Sequence, residues 1–244
     1  VPAPHVPHDR PPLDDELAVI GALQEPVRRA LYRYVASQAG DVGRDEAAAA
    51  VGIQRSLAAF HLDKLVEAGL LEATYRRLTG RSGPGAGRPA KLYRRSRSEH
   101  AVSLPPRHYD LAAELLAEAV EDAGGGGRPI RQAVGEVAHR FGRRVGEEVE
   151  AGLGARASRE RRLSALADTL GRFGYEPRRE GRALLLANCP FHTLAERHRE
   201  LVCGMNLSLL DGVVEAMGGG NLEAQQDRQP GACCVTVSVK GRRT

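Results

Sequence analysis

The chain has 244 residues, with 35 Lys and Arg against 31 Asp and Glu, a formal net charge of +4 and a pI near 9.0. A hydrophobic content of 42% and a charged content of 27% exclude a collagen-like or low-complexity chain, and no apolar run approaches the ~20 residues of a membrane-spanning helix. The modest positive charge is weak ground for a nucleic-acid partner, so its distribution matters more than its size.

Val1 to Pro12, rich in Pro and His, reads as a disordered tail without the apolar core of a signal peptide. A cytoplasmic location follows as the expectation, and there thiols stay reduced. Asp14 is placed to cap a short helix reaching about Leu23. Pro26 suits the first turn of a second helix, whose Val27, Leu31, Tyr34 and Val35 recur at helical spacing. Gly40-Asp41 ends it, and a short alanine-rich helix follows from Asp45 to Val51. Gly52-Ile53 makes a tight turn into a helix from about Arg55 to Ala68, with Ala58, Leu62, Leu65 and Val66 facing inward and Gly69 as its stop. Leu70 to Leu78 reads as a strand, Thr79 to Pro89 as a glycine-rich loop, and Ala90 to Arg94 as the returning strand.

Beyond Pro105-Pro106, Tyr109 to Asp122 is helical in pattern, and Gly124 to Gly127 breaks it. A longer helix runs from Ile130 to about Ala151, and another carries Leu163, Leu166, Leu170 and Phe173. Strands are expected near Glu176 to Glu180 and over Ala183 to Ala187, the second delivering Cys189. One helix from about Thr193 to Met217 would contain Cys203, and a last strand would run from Cys233 to Lys240.

The basic residues cluster. Between Arg76 and Arg97 lie Arg76, Arg77, Arg81, Arg88, Lys91, Arg94, Arg95 and Arg97, with no acidic residue among them. The order helix, helix, turn, helix, hairpin is that of a winged helix-turn-helix, whose second helix of the turn fills the DNA major groove. Gly52-Ile53-Gln54-Arg55-Ser56, Phe60-His61-Leu62-Asp63-Lys64-Leu65 and Ala68-Gly69-Leu70-Leu71 resemble the recognition segment of ArsR-like winged-helix repressors. On this reading Gln54 and Arg55 reach base edges, Ser56 and nearby amides hold phosphate, His61 and Lys64 add base or phosphate contacts, and Arg77, Arg81 and Arg88 belong to the wing. The expected partner is a double-stranded operator of pseudo-palindromic sequence, bound by a homodimer.

All four cysteines, Cys189, Cys203, Cys233 and Cys234, lie in the last quarter of the chain. The gaps hold 13 residues between Cys189 and Cys203 and 29 between Cys203 and Cys233, so no CxxC pair is present and folding must assemble any shared site. Soft thiolates suit an iron–sulfur cluster or, with a histidine, tetrahedral zinc. His192, close to Cys189, is the better-placed fourth ligand; a thiol redox switch, or thiols lining a small-molecule pocket, remain open. Asn188-Cys189-Pro190-Phe191-His192, the two long gaps and the Gly-x-Cys of Gly231-Ala232-Cys233 resemble the C-terminal region of SufR-type iron–sulfur cluster repressors. That resemblance implies a dimeric repressor whose cluster state sets operator affinity, with Cys189, Cys203 and Cys233 as the three cysteine ligands. Longer spacings, Gly204-Met205-Asn206 where that family has an acidic residue, and the extra Cys234 set the chain apart as a sister group of actinobacterial type.

The expected fold class is therefore α+β. It comprises a winged helix-turn-helix over residues 13–98, a linker over 99–108, and over 109–244 a helical dimerisation segment with a C-terminal α/β sensor domain built on a small antiparallel sheet. No Ser-His-Asp set, P-loop or HExxH pattern is present, so no enzyme is expected. The functional expectation is a DNA-binding regulator that senses a cluster, metal or redox state; the alternative is one that answers to a small organic ligand in a C-terminal pocket.

Overall fold

The structure, a computed structural model, describes residues 13–77, 89–124, 127–154, 156–181, 183–217, 222–227 and 232–239. The N-terminal tail, the glycine-rich loop with Arg81 and Arg88, and Lys240 lie outside the described residues. The chain is a mixture of helix and strand with two small antiparallel sheets, and it divides between Val102 and Ser103 into two compact units. Among the described residues no helix is long and apolar enough to cross a membrane.

The first unit contains α1 (Leu13–Ala22), α2 (Pro26–Ser37), β1 (Val42–Gly43), α3 (Arg44–Val51), α4 (Arg55–Glu67), β2 (Leu71–Arg76) and β3 (Ala90–Arg95), with strand order β1-β3-β2. Asp14 lies inside the first turn of α1 rather than capping it, where its charge still favours the positive helix end. The α2 cap is Glu25, whose carboxylate accepts from the Arg28 amide at 2.6 Å just ahead of Pro26. Gly52 and Gly69 both take φ of +73°, which lets the chain turn sharply out of α3 toward α4 and out of α4 toward β2. Leu31, Val35, Ala58, Leu62, Leu65, Leu71 and Tyr93 form the core, and each fully buried leucine contributes about 1.5–3 kcal/mol. Asp63 ties α4 to the hairpin, accepting from the Lys91 ammonium at 2.7 Å and the Tyr93 hydroxyl at 2.8 Å.

The second unit contains α5 (Tyr109–Gly124), α6 (Ile130–Leu153), α7 (Arg159–Arg172), β4 (Pro177–Glu180), β5 (Ala183–Leu186), α8 (His192–Arg197), α9 (Arg199–Ala216), β6 (Leu222–Gln226) and β7 (Val235–Val239). Its sheet runs β4-β5-β7-β6, with every neighbouring pair antiparallel. The single helix expected from Thr193 to Met217 is two, because His198 leaves the helical region at φ −129° and ψ 48°. β7 begins at Val235, two residues later than the sequence pattern suggests.

Helices α6 and α9 meet backbone to backbone. A Cβ added at Gly142 would lie 1.9 Å from the Leu209 carbonyl oxygen, one at Gly146 2.3 Å from that of Val213, and one at Gly212 2.3 Å from that of His139. Glycine in a helix costs about 1 kcal/mol relative to alanine, and here the close packing of the surrounding Val134, Val137, Phe141, Leu209 and Val213 offsets it. Gly146→Ala is therefore expected to destabilise the unit by about 3 kcal/mol in urea unfolding. Gly152→Ala, on the same helix but with nothing within 4 Å, should instead stabilise it by about 0.5–1 kcal/mol.

Candidate functional site

Three separate parts of the second unit bring the thiols together. Cys189 sits in the loop that leaves β5, Cys203 lies on α9, and Cys233 and Cys234 lead into β7. The first three are buried and Cys234 is half-buried. The Cys233 amide donates to the Leu186 carbonyl at 2.8 Å, which extends the β5–β7 pairing beyond β7 itself. The Cys234 carbonyl accepts from the Asp227 amide at 3.0 Å, just past β6. The two adjacent cysteines are thus held by opposite neighbours, in a stretch that is not yet regular strand.

Neighbouring thiols lie within interacting distance in pairs, Cys189 with Cys233, Cys233 with Cys234, and Cys234 with Cys203. Cys233 also accepts from the Asn206 side-chain amide at 3.2 Å, and the Tyr175 hydroxyl donates to the Asn206 side-chain carbonyl. Asn206 and Tyr175 are both about 1% exposed, so a complete polar chain runs through the core. The Cys233 hydrogen bond holds the Cys189 thiol below the usual thiol range, against its burial. The same bond pushes Cys233 up to about 12, and the contact with Cys233, aided by burial, raises Cys234 as well. Burial holds the Tyr175 hydroxyl far above its ordinary range, so it stays a donor. Of Cys189, Cys233 and Cys234, Cys189 is the one most ready to become a thiolate, the form that binds metals.

Cys189, Cys203, Cys233 and Cys234 thus join in pairwise interactions. His192 does not: its ring is exposed and its Nε2 lies 3.4 Å from a Glu196 carboxylate oxygen one helical turn on. The thiols are strung in pairs rather than ringed about one point, and among the described residues no three His, Cys, Asp or Glu side chains stand as a ready-made metal-holding group.

The Cys189 loop is also pinned to residues 106–108, the segment by which the chain enters the second unit. The Arg107 guanidinium donates to the Asn188 side-chain oxygen and, at 3.1 Å, to the Cys189 carbonyl. The Asn188 amide donates to the Pro106 carbonyl at 3.1 Å and the Gly174 carbonyl at 2.5 Å, and the His108 amide donates to the Pro190 carbonyl at 3.1 Å. Gly174, at φ +77°, lets Pro106 approach to 3.1 Å of where its Cβ would be. His108 is itself buried, at 2% exposed. Elsewhere in the unit an open depression of about 330 Å³ lies against the sheet, lined by Glu180, Gln225, Asp227, Thr236 and Ser238 among others, with no cysteine.

In the first unit, α4 presents Gln54, Arg55 and Ser56 to solvent at its N-terminal end. Arg55 is held by Asp45 at 2.7 Å and Lys64 by Glu67 at 2.6 Å, so a phosphate would have to displace both carboxylates. Arg77 is exposed just beyond β2. His61 is corrected: it is 9% exposed, its Nδ1 lies 3.8 Å from Glu25 and its ring packs edge-on against Phe60. It follows Ala58 by three positions on the face that also buries Leu62 and Leu65, and so turns inward with them. The sequence pattern did not single out Leu57 and Phe60, which are 42% and 56% exposed on the opposite face. Two apolar residues three apart, outside the buried stripe, are the signal that could have found them.

The chain matches no family model, no curated protein and no solved structure.

The buried chain through Asn206 gives a direct check. Tyr175→Phe leaves the Asn206 oxygen without its donor, and a loss of about 1–3 kcal/mol in denaturant unfolding is expected. An unchanged midpoint would show that the Tyr175–Asn206 bond does not form.

Proposed function

We propose that the chain is a DNA-binding transcriptional regulator, a cytoplasmic homodimeric repressor whose grip on its operator depends on the occupancy of a thiolate site. The favoured occupant is an iron–sulfur cluster, with zinc as the other thiol-seeking group. The observation that carries this reading is that Cys189, Cys203, Cys233 and Cys234, from a loop, a helix and the approach to a strand, interact pairwise, the first three of them buried. Inert packing would not require rare soft donors from three distant segments to meet there.

The donor chemistry fits. Cys189, Cys203 and Cys233 would hold the group, and the Asn206 amide already donates to one sulfur, the kind of outer hydrogen bond that tunes thiolate sites. An iron–sulfur cluster, when bound, supplies a charge and redox state that respond to oxidants and to iron supply. What this chain's residues supply is the coupling. Arg107 and Asn188 join the Cys189 loop to the segment arriving from the first unit, so displacement of Cys189 is felt at 106–108. Coupling requires that the two occupancies favour different arrangements of that segment.

For the first unit, the element order and the β1-β3-β2 sheet support a winged helix-turn-helix with α4 as the reading helix. Gln54, Arg55 and Ser56 would meet base edges and phosphate, Lys64 and Arg77 the backbone, and Leu57 and Phe60 offer apolar contact to thymine methyls. Arg81 and Arg88 remain wing contacts in the proposal. The small-ligand alternative would draw on the open depression against the sheet, whose lining is largely polar.

Full-length protein purified without oxygen, assayed for iron, zinc and sulfide and titrated with duplexes selected from a random pool, tests this reading. Ser at position 189, 203 or 233 should each lower metal content and change operator affinity by about tenfold or more, roughly 1.4 kcal/mol. Arg107→Ala should keep its metal while operator affinity no longer tracks occupancy. Retention of full metal content and normal operator binding by all three Ser variants would overturn the sensor.

A further inference from the structure

We propose that Arg55 reads a guanine in the operator, and that Asp45 is the positioning residue that sets its guanidinium for that base. The inference rests on reading α4 as the helix that enters the major groove, and it names the base and the residue behind the contact. Arg55 opens α4, and Asp45 lies in the first turn of α3. The Arg55 Nε lies 2.7 Å from an Asp45 carboxylate oxygen, and the two side chains are 62% and 68% exposed. The other acid of that turn, Glu46, is engaged elsewhere, by the Tyr34 hydroxyl at 3.1 Å and the Gly43 amide at 3.4 Å. The positive end of α3 favours a carboxylate at the Asp45 position.

The pair decides which ligand suits Arg55. A guanidinium is a planar fork of five N–H donors, and a partner on the Nε side leaves the far edge, between Nη1 and Nη2, for a second one. A phosphate brings its negative charge beside the Asp45 carboxylate and is repelled by it. A base edge is neutral and meets no such repulsion. Guanine presents two acceptors, O6 and N7, on its major-groove edge, the pattern that two parallel N–H donors match. Adenine pairs its N7 acceptor with an N6 donor, which a guanidinium cannot satisfy. Asp45 also restricts a long side chain before DNA arrives, so less freedom is lost on binding. An ion pair this exposed adds little to folding, so its removal is felt in base reading rather than in stability.

The test uses full-length protein purified without oxygen and duplexes selected from a random pool, titrated one base pair at a time. The wild-type half-site should contain a guanine whose replacement by 7-deazaguanine, which lacks the N7 acceptor, weakens binding about tenfold. Asp45→Ala should cut that penalty to about threefold or less, and Arg55→Lys, which keeps the charge but not the fork, should abolish it. Preferences at the other positions should stay as they are in both variants, and circular dichroism should show the fold intact. The inference is overturned, with DNA binding intact, if Asp45→Ala keeps the full guanine penalty, for then the carboxylate does not set the contact. It is equally overturned if Arg55→Lys keeps that penalty, or if the selected half-sites hold no guanine sensitive to 7-deaza replacement. If the wild-type protein enriches no duplex over the starting pool, the reading of α4 itself falls.

Discussion

The approach of α6 to α9 is the constraint on which the second unit depends. Gly142 and Gly146 on one helix and Gly212 on the other let the two backbones touch, and no larger residue fits at any of the three. That contact fixes the rotation and height of α9, which carries Cys203 and Asn206 toward the cysteines of the sheet. Ion pairs border the crossing, with His139 Nε2 2.9 Å from Glu215 and Arg143 3.7 Å from the same residue, but these are partly exposed and add little beside the close packing. Cys203 and Asn206 are thus positioned by glycines on both helices of the crossing.

Around the thiols the unit accepts an arrangement that a purely structural core would avoid. Asn206, Tyr175 and Asn188 are buried polar groups, and each is hydrogen-bonded to named protein partners. Networks of this kind are costly when incomplete and rigid when complete. One branch ends on the Cys233 sulfur, the other on the 106–108 segment. A change at the sulfurs therefore meets a stiff surround, and a stiff surround moves in discrete steps rather than yielding locally.

Much of the fold was legible in the sequence because long helices and their apolar stripes declare themselves. Leu31 and Val35, Leu62 and Leu65, and Val134, Val137 and Phe141 recur at helical spacing and are buried as that spacing implies. What could not be read depends on tertiary contact. β1 is two residues long and exists through pairing with β3, and β6, Leu-Glu-Ala-Gln-Gln, has a weak strand composition and forms by pairing with β7. At the thiols, the sequence shows that rare soft donors cluster in one quarter of the chain, while which of them pair is decided by tertiary contact. His61 was misplaced because its polarity was weighed above its position, three after Ala58 on the inward face of α4. The glycine pair Gly142 and Gly146, four apart within a helix, was the unread signal of a close helix crossing.

X-ray absorption at the edge of the bound metal, on full-length protein purified without oxygen, reads the central claim most directly, since it counts and identifies the atoms bound to the metal. The account predicts a first shell dominated by sulfur, at about 2.3 Å. A shell of nitrogen or oxygen, or protein that carries no metal at all, would contradict it.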